Sequence, residues 1–305
     1  MINRRNFIKL GSASAIALKS LGAKALSLNL ESKQSVVYEL NPVSSDSFLK
    51  LFDKLGGIST FVKGDIKSSL ILIKPNFSLP KASSTGTVTS LASLEELCKA
   101  LISLGAGKIV IADHTLMRTS DFANLEHFSL QKTYPQVKVI LVNEERMFEP
   151  LKVPGKVLSE TSIMKLLPKA DFFINFANAK HHTATNVSLS IKNLMGAIWN
   201  RTDFHTKMDL HQSIADLALA VKPHLNLIDT RHVLLNGGPT GPGPLKNDES
   251  VFASLDMLAL DSLIVSKYNF GGKNLSANDI KHLKLCFEAG VGEIDIDKIK
   301  VEKII

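Results

Sequence analysis

Cysteine is scarce: the chain has two in 305 residues. Cys98 and Cys286 lie in apolar helical patterns, "LCKALI" and "LKLCF", and read as buried thiols. One pair does not establish a disulfide framework. Two thiolates cannot hold an ordinary four-cysteine iron–sulfur cluster, and the sequence names no other cofactor. Long apolar runs are missing too. No segment approaches the roughly 20 apolar residues of a permanent membrane helix. A basic surface is the third absence. The formal charge is +7, but Arg4, Arg5, Lys9, Lys19 and Lys24 account for five of the 36 basic residues. The remaining 31 stand against 29 acidic residues, and no basic stripe is interleaved with aromatics, so nucleic acid is excluded as a partner.

The acid-free start is informative. "NRRNFIKLGSASAIALKSLGAKA" has an arginine pair, a mildly apolar segment and small residues around Ala23-Lys24-Ala25. That is the layout of a twin-arginine signal peptide over residues 1–25. It implies export to the periplasm or cell exterior, with no membrane span left after the signal is removed.

Residues 26–305 alternate between short aliphatic runs and amphipathic stretches. Strands are expected at 35–40, 69–76, 108–114, 137–143, 171–177 and 224–229. Helices are expected at 46–55, 90–106, 120–131, 186–198, 211–221, 251–268 and 276–289, with a last strand or edge element near the C-terminus. The pattern predicts an α/β fold, a mainly parallel sheet with flanking helices. A polar break near 144–160 reads as an excursion or as a boundary between two Rossmann-like lobes.

The polar residues fall at strand ends. Lys74 and Asn76 end one strand, and Asp113 and His114 the next. Asn178, Lys180, His181 and His182 follow a third, and Asp229 and Arg231 a fourth. Ligands of open α/β sheets bind outside the carboxyl ends of the strands, so one shared site is expected there. The segment 180–211 adds Lys192, Asn193, His205 and His211.

Taken in order, "LILIKPN", "GAGKIVIAD", "ADFFINFANAKHH", "SLSIKNLMGAIW", "LIDTRHVLLNGGPTGPGP" and "ASLDMLALDSL" resemble the DUF362 family over about 70–265. The resemblance implies an α/β protein, exported in some members by a twin-arginine signal. Some relatives carry a ferredoxin-like module, for which this chain lacks the cysteines. Relatives show a run like "KTHxxT" where this chain has Lys180-His181-His182-Thr183, so His182 fits the motif histidine.

Three chemistries fit these residues. Lys74, Lys180 and Lys192 suit a small anionic ligand, with Asn76, Asn193, Asp229, Gly238 and Thr240 completing the binding wall. The loop Thr85-Gly86-Thr87 before a helix start suits an anion as well. Acid–base work would fall to His182, with Lys192 and Asp113 beside it. A metal would draw on His182, His205 and His211, although their spacing matches no compact motif. Two functions follow: an enzyme acting on a small anion, or a ligand- or cofactor-binding protein without turnover.

Overall fold

The computed structural model describes residues 34–305, and Ser35–Ile305 form one compact unit. The expected signal peptide lies outside the described residues. β1 (Ser35–Leu40) leads through α1 (Ser45–Lys54) to β2 (Leu70–Lys74). The periodic stretch at 90–106 is α2 (Leu91–Ser103), which feeds β3 (Lys108–Asp113). Where 120–131 reads as one helix, there are instead two 3-10 turns and the short α3 (Ser129–Thr133), followed by β4 (Val137–Leu141).

The polar break near 144–160 is an excursion. It carries β5 (Phe148–Lys152) into an antiparallel hairpin with β6 (Glu160–Met164). The chain then re-enters the main sheet as β7 (Phe172–His182).

The next stretch differs from the helix expected at 186–198. β7 turns back on itself as β8 (Asn186–Ser188), with Lys180 opposite Ser188 and His182 opposite Asn186. Asn186 takes a positive φ of 62° at this reversal, a conformation that Asn tolerates better than most residues. Only α4 (Ser190–Asn193) and a 3-10 turn remain helical there. α5 (Arg201–Thr206) and α6 (Leu210–Ala220) lead to β9 (Leu225–Leu234).

The helix expected at 251–268 is likewise divided. After β10 (Leu245–Lys246), its first residues are β11 (Val251–Ser254), paired on both sides. Asp256 then caps α7 (Met257–Lys267) by accepting from the Leu258 and Ala259 amides, each at 2.9 Å. α8 (Lys281–Glu288) and β12 (Ile299–Ile304) complete the chain.

The main sheet has ten strands, in the order β12-β1-β11-β9-β7-β2-β3-β4, with β8 and β10 attached to β7 and β9. β9, β7, β2, β3 and β4 run parallel to one another, whereas β11 is antiparallel to both neighbours. Strand side chains alternate between faces. Ile71 and Ile73 join one core with Phe48 and Phe52 of α1 and Leu94 and Leu97 of α2. Leu70 and Leu72 join the other with Ile214 of α6 and Leu258 and Ile264 of α7. Both faces are therefore covered, as a parallel sheet requires. The consequence for function is positional. β7, β2 and β3 are adjacent, so Lys180, Lys74 and Asp113 end neighbouring strands on the same side.

Candidate functional site

Lys74 and Asp113 form the floor. Both side chains are almost wholly buried, and Lys74 Nζ lies 2.7 Å from Asp113 Oδ1. The other carboxylate oxygen accepts from the Phe77 amide at 2.7 Å, and Lys74 also donates to the Pro75 carbonyl at 3.0 Å. Burial pulls the Lys74 pKa down while the Asp113 carboxylate pulls it up. Gly196 covers the pair, and a Cβ there would stand 2.3 Å from Asp113 Oδ1 and 2.5 Å from Lys74 Nζ. No larger residue fits over this ion pair without pushing it apart.

Lys180 sits beside the pair. Its ammonium group donates to the Thr87 carbonyl at 2.6 Å and to Asn76 Oδ1 at 3.2 Å. The Thr85-Gly86-Thr87 loop thus offers carbonyls to the site instead of the N–H groups an anion would want. The Gly86 carbonyl is taken by Asn178 at 2.7 Å. Burial pulls the Lys180 pKa down to about 7, and the nearby Lys192 charge pulls the same way.

Lys192 comes from the opposite wall. Asp261 fixes the start of α4 by accepting from the Ser190 and Ile191 amides at 2.8 and 2.9 Å. Asn193 donates to Asn175 Oδ1 at 2.8 Å, which pins the other end. Lys192 is held between these anchors and is buried. No carboxylate among the described residues lies within ion-pair distance of Lys180 or Lys192. Burial, then the Arg201 charge, takes the Lys192 pKa down to about 8. Arg201 escaped the sequence reading. It opens α5 and donates to the carbonyls of His114 and Thr115 at 2.9 and 2.5 Å. Its only sequence signal is its place within 180–211.

A cavity of about 160 Å3 opens among these groups. Asn76, Lys180, Lys192 and Asn193 line it, as do Asp113, His182, His205 and Arg201. Lys74 lies beneath this lining, behind Asp113. His182 is not placed to act as a free base. The Ala184 amide donates to its Nδ1 at 3.1 Å, so the neutral ring carries its proton on Nε2. Burial and the two lysine charges take its pKa down to about 3, which keeps the ring neutral.

The other sequence candidates go elsewhere. His211 does not reach the cavity and stacks on His282, with ring centroids 5.9 Å apart. The three candidate metal histidines are therefore not gathered at one point. Among the described residues, no group of three His, Cys, Asp or Glu side chains is arranged to hold a metal. Asp229 is a buried structural acceptor: it takes the Ser90 amide at 2.6 Å, the Arg231 amide at 3.0 Å and the Ser93 hydroxyl at 3.2 Å. It fastens the start of α2 and does not line the cavity. Gly238 packs on the His181 carbonyl, where a Cβ would stand 1.8 Å from the oxygen. Thr240 is exposed, and only the neighbouring Pro239 reaches the cavity.

The depressed lysines make a stability prediction with a definite sign. Unfolded lysine titrates near 10.4, so between the folded and unfolded values the unfolded chain holds more protons. The lysine contribution to stability therefore rises with pH across that window. Lys192→Met removes one buried charge. At pH 7 the variant should exceed wild type in stability by about 1 kcal/mol or more. Its advantage should shrink as pH rises from 7 to 9. Comparing the two chains by urea denaturation cancels the titrating groups remote from Lys192, while Lys180, relieved of the Lys192 charge, titrates higher in the variant; a constant or growing advantage would contradict the assignment.

No curated protein matches the chain. Among solved structures, the lactate racemase apoprotein from Thermoanaerobacterium thermosaccharolyticum is similar at a TM-score of 0.45 and 15% identity, over 77% of this chain and 58% of that one. The chain thus spans less than two thirds of that structure's length. The family model for the domain of unknown function DUF362 matches residues 71–266, which hold β3, β7, all of β2 but its first residue, and every cavity residue named above. The match covers more than half of the sequence, and the chain belongs to the DUF362 family.

Proposed function

We propose that this protein is an enzyme acting on a small anionic substrate held in the cavity at the ends of β2, β3 and β7. One observation carries the reading: Lys180, Lys192 and Arg201 line the cavity, and among the described residues Asp113 is the one carboxylate in its lining. That carboxylate is already committed to Lys74 and the Phe77 amide. Buried cations without counter-charges are costly, and a bound anion supplies what the protein withholds.

Size narrows the substrate. A cavity near 150 Å3 holds a molecule of about benzene's dimensions. The space of about 160 Å3 among these groups therefore suits a small carboxylate or phosphate. Lys192 and Arg201 hold the anionic group. His182 donates from Nε2 to an oxygen on the reacting part. Lys180, titrating near neutrality, is the group able to exchange a proton with substrate at pH 7. A ligand- or cofactor-holding protein without turnover would use the same cations. The near-neutral Lys180 favours turnover, because simple anion binding is served better by a fully charged lysine.

Residues 1–25 add the export proposal. Replacing Arg4 and Arg5 by lysine should retain the full chain in the cytoplasm of its host, and undiminished export of the double variant would refute the twin-arginine reading.

The anion site is tested by thermal and chemical denaturation at constant ionic strength. Phosphate, sulfate and small mono- and dicarboxylates form the panel. At 100 times its dissociation constant, a bound anion should add about 2.7 kcal/mol of stability. Lys192→Met should lose most of that gain. No stabilisation by any member of the panel would remove the basis of the reading.

A further inference from the structure

We propose that the Lys180 amine is a nucleophile that forms an imine with the carbonyl carbon of a small substrate, whose anionic group rests against Lys192 and Arg201. This rests on the anion-site reading above and adds the reacting atom and the substrate class: a small carbonyl compound bearing a negative charge.

The geometry at Lys180 carries the argument. A neutral primary amine has two N–H bonds and one lone pair. Thr87 O at 2.6 Å and Asn76 Oδ1 at 3.2 Å accept two N–H bonds. Both acceptors are protein groups, and the side chain otherwise lines the cavity. The third position on nitrogen, which carries the lone pair, has no hydrogen-bond partner among the described residues, although the side chain is only 1% exposed at the cavity wall. Two hydrogen bonds also fix the direction of that lone pair before any substrate arrives, which removes part of the orientational cost of attack.

The neighbours divide the labour between two lysines. A lysine amine becomes a nucleophile when it is desolvated or set beside another cation, and Lys180 meets both conditions. Its pKa is pulled down to about 7, first by burial and then by the Lys192 charge. Lys192, pulled down to about 8, stays mostly charged at pH 7. It is therefore the cation of the pair.

The step balances without an oxidant or reductant. The Lys180 lone pair bonds to the carbonyl carbon, and the C=O π pair moves to oxygen. One proton passes from nitrogen to that oxygen, giving a carbinolamine. The hydroxyl leaves as water with a second proton from nitrogen, and C=N forms. Nε2–H of His182, in the same cavity, is the donor available to the oxygen as it becomes negative. If the imine is protonated, its single N–H is kept by the Thr87 carbonyl.

The test is reductive trapping on the full chain. Pyruvate is the probe, because it is a small carbonyl compound bearing a carboxylate. The protein is incubated with pyruvate and cyanoborohydride at pH 7, with and without sulfate, and modified lysines are located by peptide mapping. An exposed lysine near 10.4 is neutral far less often than one near 7, so Lys180 should be labelled at least about tenfold above any exposed lysine. Sulfate should suppress that labelling, and Lys180→Arg should abolish it. Mapping on the wild-type chain decides the matter even if the variant fails to fold. An unlabelled Lys180 in a chain that sulfate still stabilises would overturn the imine while sparing the anion site. Labelling of Lys180 that sulfate neither suppresses nor slows would overturn the anionic substrate class, and the anion-site reading with it.

Discussion

Three lysines and an arginine share a single carboxylate at the ends of β2, β3 and β7. The rest of the site follows from that imbalance. Asp113 is spent on Lys74 and the Phe77 amide, so Lys180, Lys192 and Arg201 are held by carbonyls or by packing alone. Each is buried enough for desolvation to pull its pKa down. Removing an ion's hydration shell costs several kcal/mol even after relaxation, of order 20 kcal/mol in the idealised limit. Proteins lower that cost by neutralising the group or by binding a counter-ion. Lys180 takes the first course in part, and the cavity beside Lys192 and Arg201 provides for the second.

The surrounding fold serves these charges. Adjacent parallel strands bring Lys180, Lys74 and Asp113 to one edge, and the Thr85–Thr87 loop turns carbonyls toward the ammonium of Lys180. α4 is four residues long and runs directly into a 3-10 turn over Leu194–Ala197, with Asp261 holding its first amides and Asn175 its last side chain. Asp229 shows the other use of a buried carboxylate here. It receives backbone and hydroxyl donors instead of a lysine, and so fixes the α2 start that positions the Thr87 loop.

Much of this was legible from residue order. The alternation of aliphatic runs with amphipathic stretches predicts the parallel sheet, and polar residues at successive strand ends locate the cavity beside Lys180, Asp113 and His182. Where the reading departed from the structure, pairing between strands had overridden local period. Val187, Ile191, Leu194 and Ile198 have helical spacing, yet the strand partners of 186–188 lie in β7 and cannot be seen from the segment itself. Residues 251–254 continue the helical period of 257–267 for the same reason, although Asp256 is the true cap. Asp229 looked like a ligand residue because strand position says where a carboxylate sits and not which donors reach it. His211 is close to the site in sequence but turns to His282. Arg201 carried no pattern of its own, since its importance comes from lying opposite Lys192 in space.

The central claim is that an anion completes this cationic cluster, and proton linkage tests it most directly. Sulfate does not titrate near neutrality, so any protons taken up on its binding pass from the buffer to the protein. Calorimetric titration at pH 7.5, in two buffers of different ionisation enthalpy, measures that number. With Lys180 and Lys192 near 7 and 8 in the free protein, binding should draw in a positive fraction of a proton or more, and the lysine part of that uptake should fall away below about pH 6, where both amines already carry their charge and only the cavity histidines remain to be protonated. Binding with no proton uptake at pH 7.5, or uptake that persists unchanged at pH 6, would contradict the account.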